Sequence, residues 1–427
     1  MEVSLKCISC GRSFKPGVLF RCSSCNGLLD VVPDLESLKE IVSRKLFDSR
    51  LGSAKAPYNS GIWRFRELVH PLVDDADIVS RPEGNTSLYS HDKVSDYAGV
   101  KKIKLKHEGE NPTGSFKDRG MSPGVSEARR LGLKVTACAS TGNTSASLAS
   151  YSSYAGLKSV VFIPEGNISF GKLSQALAYG ARVCQVEGNF DDCMRLVQES
   201  ASELGLYLLN SVNPWRVEGQ KSIMFELIQQ LGWKSPDWVV VPAGNLGNTS
   251  AFGKAFMELK KLDLIDSVPK IASIQASGAD PFYNQWRDKS DVLEAVAEPE
   301  TIATAIKIGN PVSWMKALRA INFSGGLVEE VTDEQIMDAK AVIDSSGVGC
   351  EPASAASLAG VLKLRDAGVI DAKDNVVCIV TGNILKDPDA TVDYHLGRLV
   401  ERGISSSHAN KPVSIKADIN SVKAAIQ

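Results

Sequence analysis

At 427 residues with 43% hydrophobic content, the chain can bury a large core and divide into two or three domains. A formal charge of −2 leaves no electrostatic footprint for nucleic acid or an anionic membrane surface. No stretch approaches the roughly eighteen uninterrupted apolar residues of a membrane span, and no secretion-signal pattern opens the chain, so a cytoplasmic location is expected.

The first predicted unit covers residues 1–35. Cys7-Ile8-Ser9-Cys10 and Cys22-Ser23-Ser24-Cys25 are two C-x-x-C knuckles with eleven residues between them. In a reducing compartment such a pair reads as a structural zinc held by the thiolates of Cys7, Cys10, Cys22 and Cys25, with free or redox-active thiols as the alternative. The nine cysteines agree, because an odd count that includes Cys138, Cys184 and Cys378 in predicted buried strands suits reduced thiols better than a disulfide scaffold. Few basic residues accompany the knuckles beyond Lys6, Arg12, Lys15 and Arg21, which favours a structural or docking module over a nucleic-acid binder.

Beyond it, predicted strands alternate with helical patterns. Ile103 to Lys106 precedes the stretch Glu110-Asn111-Pro112-Thr113-Gly114-Ser115-Phe116-Lys117-Asp118-Arg119-Gly120 and an apolar-periodic run from Met121 to Leu131. Lys117 therefore stands at a helix mouth behind a Pro/Gly turn, where an amine can condense with an aldehyde cofactor; alone, such a lysine is most often a solvated surface charge. Leu133 to Ala139 reads as a buried strand, and Ser140-Thr141-Gly142-Asn143-Thr144-Ser145 opens the next helix. Val160 to Ile163, Arg182 to Val186 and Tyr207 to Leu209 follow as further strands. Trp238 to Pro242 is a buried strand followed by Ala243-Gly244-Asn245-Leu246-Gly247-Asn248-Thr249-Ser250 and a helix expected to begin near Ala251.

That last turn suits an anion: glycines admit close approach of a phosphate, and a helix N-terminus supplies unpaired N–H groups and partial positive charge. Ordinary βα turns favour the same residue types. No Gly-Lys-Ser/Thr ends the turn and no G-x-G-x-x-G is present, so a single phosphate fits better than a nucleotide. Ile271 to Ile274 and Val376 to Val380 complete the strands, and the alternation argues for βαβ units with parallel sheets covered by helices. Ligands then collect beyond the carboxyl ends of strands, where the Ser140, Gly244 and Thr381 turns lie. A reactive lysine, a single-phosphate cradle and the polar Asn143 turn together suggest pyridoxal phosphate. A polar tail covers 401–427, and the five histidines form no cluster with ligand spacing.

Glu83-Gly84-Asn85-Thr86, Asn111 to Arg119, Ser140 to Ser145, Asn210-Ser211-Val212-Asn213-Pro214-Trp215-Arg216, Gly244 to Asn248, Glu351-Pro352-Ala353-Ser354 and Thr381-Gly382-Asn383-Ile384-Leu385-Lys386-Asp387-Pro388 resemble the threonine synthases, within the tryptophan-synthase-β-like class of pyridoxal phosphate enzymes. The resemblance spans about residues 55 to 400. It implies an α/β fold of type II: two domains with parallel-rich sheets flanked by helices, the smaller at roughly 130–215 inserted in the larger, plus the zinc-ribbon-like knuckle, in a homodimer. It implies Lys117 as the lysine that holds pyridoxal 5'-phosphate and as catalytic acid and base. Asn143 is implied at the ring hydroxyl, Gly244, Asn245, Leu246, Gly247 and Asn248 at the phosphate with Thr249 as a possible aid, and Thr381 at the pyridine nitrogen. Ser140, Thr141 and Thr144 would hold the substrate carboxylate and neighbouring groups.

Asn210, Ser211 and Arg216 would grip a substrate phosphate, which implies O-phosphohomoserine as substrate and threonine and phosphate as products. Against that role, Arg216 also reads as a surface arginine at a helix start paired with Glu218; Glu351 reads as a simple helix cap, in a segment that the resemblance places near the cofactor. Two departures stand out: Asn383 occupies a position where the family commonly has histidine, and Ser87 one where it commonly has proline. The competing readings are a cysteate-synthase-like β-replacement on O-phosphoserine, a threonine or serine dehydratase, and a zinc-ribbon interaction protein on an inactive enzyme scaffold.

Overall fold

The computed structural model describes residues 2–166, 170–188 and 190–426. The strands, numbered along the chain, are β1 (Val3–Cys7), β2 (Ser13–Phe14), β3 (Leu29–Pro33), β4 (Leu88–Tyr89), β5 (Lys102–His107), β6 (Val135–Ala139), β7 (Lys158–Pro164), β8 (Arg182–Val186), β9 (Tyr207–Leu208), β10 (Trp238–Pro242), β11 (Lys270–Ala276), β12 (Leu327–Val331) and β13 (Asn375–Val380). They form three sheets: an antiparallel β2-β1-β3, a six-stranded β12-β11-β10-β13-β5-β4 and a four-stranded β8-β7-β6-β9. The six-stranded sheet is parallel except at its β4 edge, and the four-stranded one is parallel throughout.

Strands this apolar require cover on both faces, and alternate side chains divide between two cores. From β10, Val239 and Val241 enter one cluster with Phe225, Phe252 and Phe256, while Trp238 and Val240 enter the other with Ala355, Leu358 and Ile343. In the smaller sheet, Cys138, Val161 and Ile163 pack beneath Met121 and Tyr151, and Ala137, Ala139 and Phe162 face Cys193 and Val197. The α/β architecture expected from the strand–helix alternation is present. Besides the three strands of the knuckle module, two strands escaped that expectation: Leu327–Val331 carries two glutamates, and Leu88–Tyr89 is a two-residue edge. The tail is not wholly irregular, because Ile419–Ile426 is helical.

The knuckle module is wedged against both larger sheets' layers. Its Leu5, Leu29 and Val31 pack with Trp215, and Phe20 lies 5.5 Å from the Tyr207 ring. Asp30 forms ion pairs with Lys316 (2.7 Å) and Arg319 (2.5 Å), which hold its carboxyl far below the usual range despite burial. Among the described residues no helix is long and apolar enough to cross a membrane.

Candidate active site

Three turns meet because three neighbouring strands end together. β5, β13 and β10 lie side by side and parallel, so the turns after them, carrying Lys117, Thr381 and Gly244, emerge at one sheet edge. The Lys117 and Thr381 turns are stitched directly: Phe116 N–H donates to the Thr381 carbonyl at 3.0 Å and Asn383 N–H to the Gly114 carbonyl at 2.9 Å.

Lys117 is the first residue of the helix Lys117–Arg130, half-buried, with Nζ 4.2 Å from the Phe116 ring centre. Burial, reinforced by the Arg216 charge and opposed by Glu351, pushes its amine down to about 7. Such an amine is largely neutral in mildly alkaline solution and hence nucleophilic. The turn is held by Asp118, which accepts from Thr113 N–H (2.7 Å), Thr113 Oγ1 (2.6 Å) and Ser147 Oγ (2.5 Å), while burial raises its carboxyl to about 6. Behind it, Arg119 is buried with Glu108 (2.6 Å) and Glu226 (2.8 Å), and Glu226 also pairs with Lys106 (2.6 Å) and Arg64 (3.1 Å). The Glu83–Thr86 motif serves this cluster, with Asn85 and Thr86 N–H groups donating to Glu226 at 2.8 and 3.0 Å.

After β10, Leu246 adopts a left-handed conformation (φ 63°) and the helix Gly247–Lys261 begins at once, four residues before the expected Ala251. The backbone N–H groups of Gly244 through Thr249 find no acceptor among the described residues. Six free amides around a helix N-terminus are an anion cradle, and they fit a phosphate monoester. The neighbouring side chains are committed elsewhere: Asn248 accepts from Gln220 (2.7 Å), Thr249 pairs with Ser273 (2.9 Å), and Asn245 accepts from Val312 N–H (3.4 Å). These bonds use only the Asn245 and Asn248 carbonyl oxygens, so the backbone amides offer the cradle with the two side-chain NH2 groups still able to donate, whereas the buried Thr249 hydroxyl is already partnered within the protein.

Asn143 opens the helix Asn143–Tyr154 and donates to the Glu351 carboxyl at 3.0 and 3.3 Å. Thr381 Oγ1 also donates to Glu351 (3.3 Å) and lies 2.9 Å from Ser354 Oγ. Ser140, Thr141 and Thr144 are half-buried around the same helix start, where Ser140 Oγ accepts from Gly142 N–H at 3.2 Å.

The last predicted group divides. Asn210 spends its amide on the Ala139 backbone, both donating and accepting at 3.0 Å, so it ties β9 to β6. Ser211 is half-buried. Arg216 is 2% exposed, not a surface residue, and Glu218 pairs instead with Lys221 at 2.6 Å and with Lys254. One Arg216 nitrogen donates to the Leu209 carbonyl at 2.9 Å, its Nε has no partner, and no carboxylate faces it among the described residues. Burial lowers even this guanidinium to about 10. A buried cation without a counter-charge beside the amine of Lys117 invites an anionic ligand.

The sequence offered Glu351 as a helix cap in a segment that the resemblance places near the cofactor, and gave Lys386 no role. Glu351, 4% exposed, joins Asn143 to Thr381. Lys386 lies against Gly114, pairs with Gln175, and is lowered by burial against the pull of Glu351 and Asp118. Both lie in the Glu351 and Thr381 motifs already singled out, which was the signal available.

At the knuckles, the four thiols lie within 4.8 Å of one another, with Cys7 Sγ 3.4 Å from Cys25 Sγ and Cys10 Sγ 3.6 Å from Cys22 Sγ. Backbone N–H groups, Ser24's first, lower the Cys22 thiol to about 6. This donor set fits a tetrahedral zinc ion.

A nucleophilic lysine, an amide cradle for one phosphate and polar contacts at a sheet's carboxyl edge are the parts that binding of pyridoxal phosphate requires. The chain belongs to the pyridoxal-phosphate-dependent enzyme family, which residues 79–382 match. Within that family it is similar to threonine synthases. It is 46% identical over 419 residues to that of Methanocaldococcus jannaschii, covering 98% of each chain, and 45% identical to that of Methanosarcina acetivorans, covering 99% and 98%. Among solved structures, threonine synthase from Escherichia coli shares the fold at a TM-score of 0.64 and 18% identity, covering 96% of this chain and 95% of that one. Maize serine racemase does so at 0.63 and 20%, covering 80% and 98%.

Proposed function

We propose that the chain is a threonine synthase, a lyase that converts O-phospho-L-homoserine and water into L-threonine and phosphate. The observation that carries this reading is 46% identity to a curated threonine synthase across 98% of both chains. It fits a site that offers two sets of unpartnered donors to phosphate, the free amides after β10 and Arg216.

Lys117 would hold the cofactor aldehyde, Gly244 to Asn248 its phosphate, Asn143 its ring hydroxyl and Thr381 its ring nitrogen. When bound, the cofactor withdraws the electrons released at the substrate α-carbon. The chain's own residues do the rest. The Lys117 amine, poised near neutrality, takes a proton from the α-carbon and then from the β-carbon; once phosphate has left, one proton returns to the γ-carbon, which becomes the methyl group, and one to the α-carbon, while water gives its hydroxyl to the β-carbon and its other proton to the released phosphate. Arg216 binds the substrate phosphate and steadies it as it leaves the γ-carbon. Ser140, Thr141 and Thr144 orient the carboxylate at a helix start. Asn210 positions this wall by fastening the chain after β9 to β6, which is a supporting part, and Ser211 would join Arg216 in the second phosphate site. A zinc ion at Cys7, Cys10, Cys22 and Cys25 would fix the knuckle module of residues 1–35 beside a core of about 55–400, with the smaller domain at roughly 130–215. We read the protein as a cytoplasmic homodimer.

The test offers O-phosphohomoserine, O-phosphoserine with sulfite, and free threonine in separate reactions. Phosphate and threonine from the first alone support the proposal. Cysteate from the second, or 2-oxobutyrate from the third as main product, overturns it.

A further inference from the structure

Beyond holding Lys117 at its site, the structure carries a chain of hydrogen bonds whose direction is set by one buried acid. Ser354 Oγ accepts from the Thr381 N–H at 2.8 Å and the Gly382 N–H at 2.9 Å. Both lone pairs are thereby filled, so the Ser354 proton must be donated. Thr381 Oγ1, at 2.9 Å, receives it; the Gly382 carbonyl is 3.5 Å away and already accepts from Glu351 N–H at 3.1 Å. The Thr381 hydroxyl is left with its own proton to give and one lone pair to fill.

Glu351 Oε1 stands 3.3 Å from that hydroxyl, while Oε2 accepts from Asn143 at 3.0 Å. The carboxyl has no ion-pair partner among the described residues and is packed so closely that a Cβ at Gly382 would overlap it. The charged and titratable groups facing it are Lys117 from its helix start, Lys386 from the turn after Thr381, and Cys350 beside it. Burial outweighs the two lysines and raises its affinity for a proton.

We propose that Glu351 is a positioning residue that sets the polarity of the Thr381 contact with the cofactor's ring nitrogen. With its proton present, Glu351 Oε1–H donates to the free lone pair of Thr381 Oγ1, and the Thr381 hydroxyl gives its proton to the ring nitrogen. With that proton lost to solvent, the carboxylate draws the Thr381 hydroxyl to itself and the ring nitrogen loses its donor. The Glu351 Oε1–H bond releases its proton to solvent, and every other change is a rearrangement of hydrogen bonds. The inference rests on the reading of Thr381 as the ring-nitrogen contact, and its test separates the two.

Holoenzyme loaded with pyridoxal phosphate labelled with nitrogen-15 in the ring is titrated by NMR. In the unsubstituted enzyme the ring resonance should move in one single-proton step. In Glu351→Gln, whose amide N–H donates permanently to Thr381, it should stay at the low-pH position, and the alkaline decline of kcat should disappear with KM unchanged. A Glu351→Gln resonance that titrates as the unsubstituted enzyme does, while Thr381→Val abolishes the movement, overturns the role of Glu351 and leaves that of Thr381 standing. A Thr381→Val enzyme that still titrates normally overturns both. Should Glu351→Gln fail to hold cofactor, a flat titration in the unsubstituted enzyme overturns the proposal by itself.

Discussion

Replacing Arg216 by methionine removes a charge while keeping most of the packing. The arginine stem lies along the helix Lys117–Arg130 where that helix has no side chain: Cγ would be 3.5 Å from a Cβ at Gly124. Methionine preserves this unbranched stem. In the protein itself only the 2.9 Å charge-assisted bond to the Leu209 carbonyl is lost, worth about 1.5–3 kcal/mol, and the desolvation penalty of an unpartnered buried cation is lost with it. The two changes oppose each other, so the unfolding midpoint should move little. Substrate loses a charge-assisted contact worth about 1.5–3 kcal/mol, which lowers kcat/KM for O-phosphohomoserine roughly ten- to 150-fold, mainly through KM. Steady-state phosphate release against substrate concentration, read beside a thermal melt, measures both. An unchanged kcat/KM refutes the reasoning. So does a collapsed melting temperature with the substrate dependence intact, which would make Arg216 a structural residue.

Lys117→Ala should abolish turnover and the borohydride-trapped cofactor adduct, and in the unsubstituted apoenzyme the rate of cofactor capture should rise as pH passes upward through about 7, because the depressed pKa makes the neutral amine abundant above it. Arg216→Met should move that rise to higher pH, since a neighbouring positive charge has been removed. Glu226→Gln leaves Arg119, Lys106 and Arg64 facing Glu108 alone and should cost about 3–5 kcal/mol in urea unfolding. Glu226 is held well below the ordinary carboxylate range, so its contribution is present above the unfolded value of 4.5 and is lost as pH falls through the folded one; Glu226→Gln should flatten the acid side of the stability profile. Gly219→Ala would drive a methyl into the Arg119 carbonyl where two helices cross, and should destabilise by about 1–3 kcal/mol while displacing Lys117, read as a lower melting temperature and lower kcat. Purified protein should carry one zinc per chain by elemental analysis; stripping it with a chelator should lower the melting temperature and change the fluorescence of Trp215, which packs on the knuckle.

The local patterns were legible because they are local. An apolar run such as Trp238 to Pro242, closed by Gly, Asn and Leu, specifies a buried strand and a turn whatever lies elsewhere, and a helix N-terminus has free amides by geometry. Parallel order was also foreseeable for most strands, since a helical crossover commonly returns the chain to run parallel, although β4 and β5 pair antiparallel across the helix Asp92–Ala98. The two-cysteine knuckles announced their cluster by spacing alone. Partnership over long separations was not written there. Asn143 and Glu351, separated by 208 positions, meet because the starts of the helices Asn143–Tyr154 and Pro352–Asp366 come together, and the Glu351 motif by itself is indistinguishable from a helix cap. Asn210 and Arg216 share one motif, yet folding spends the first on the Ala139 backbone and leaves the second buried without a counter-charge. Side-chain chemistry fixed which residues could bind or react. Desolvation and the free hydrogen-bonding capacity of each group depend on what tertiary packing places around it, and those two quantities decided which of them remained available to do so.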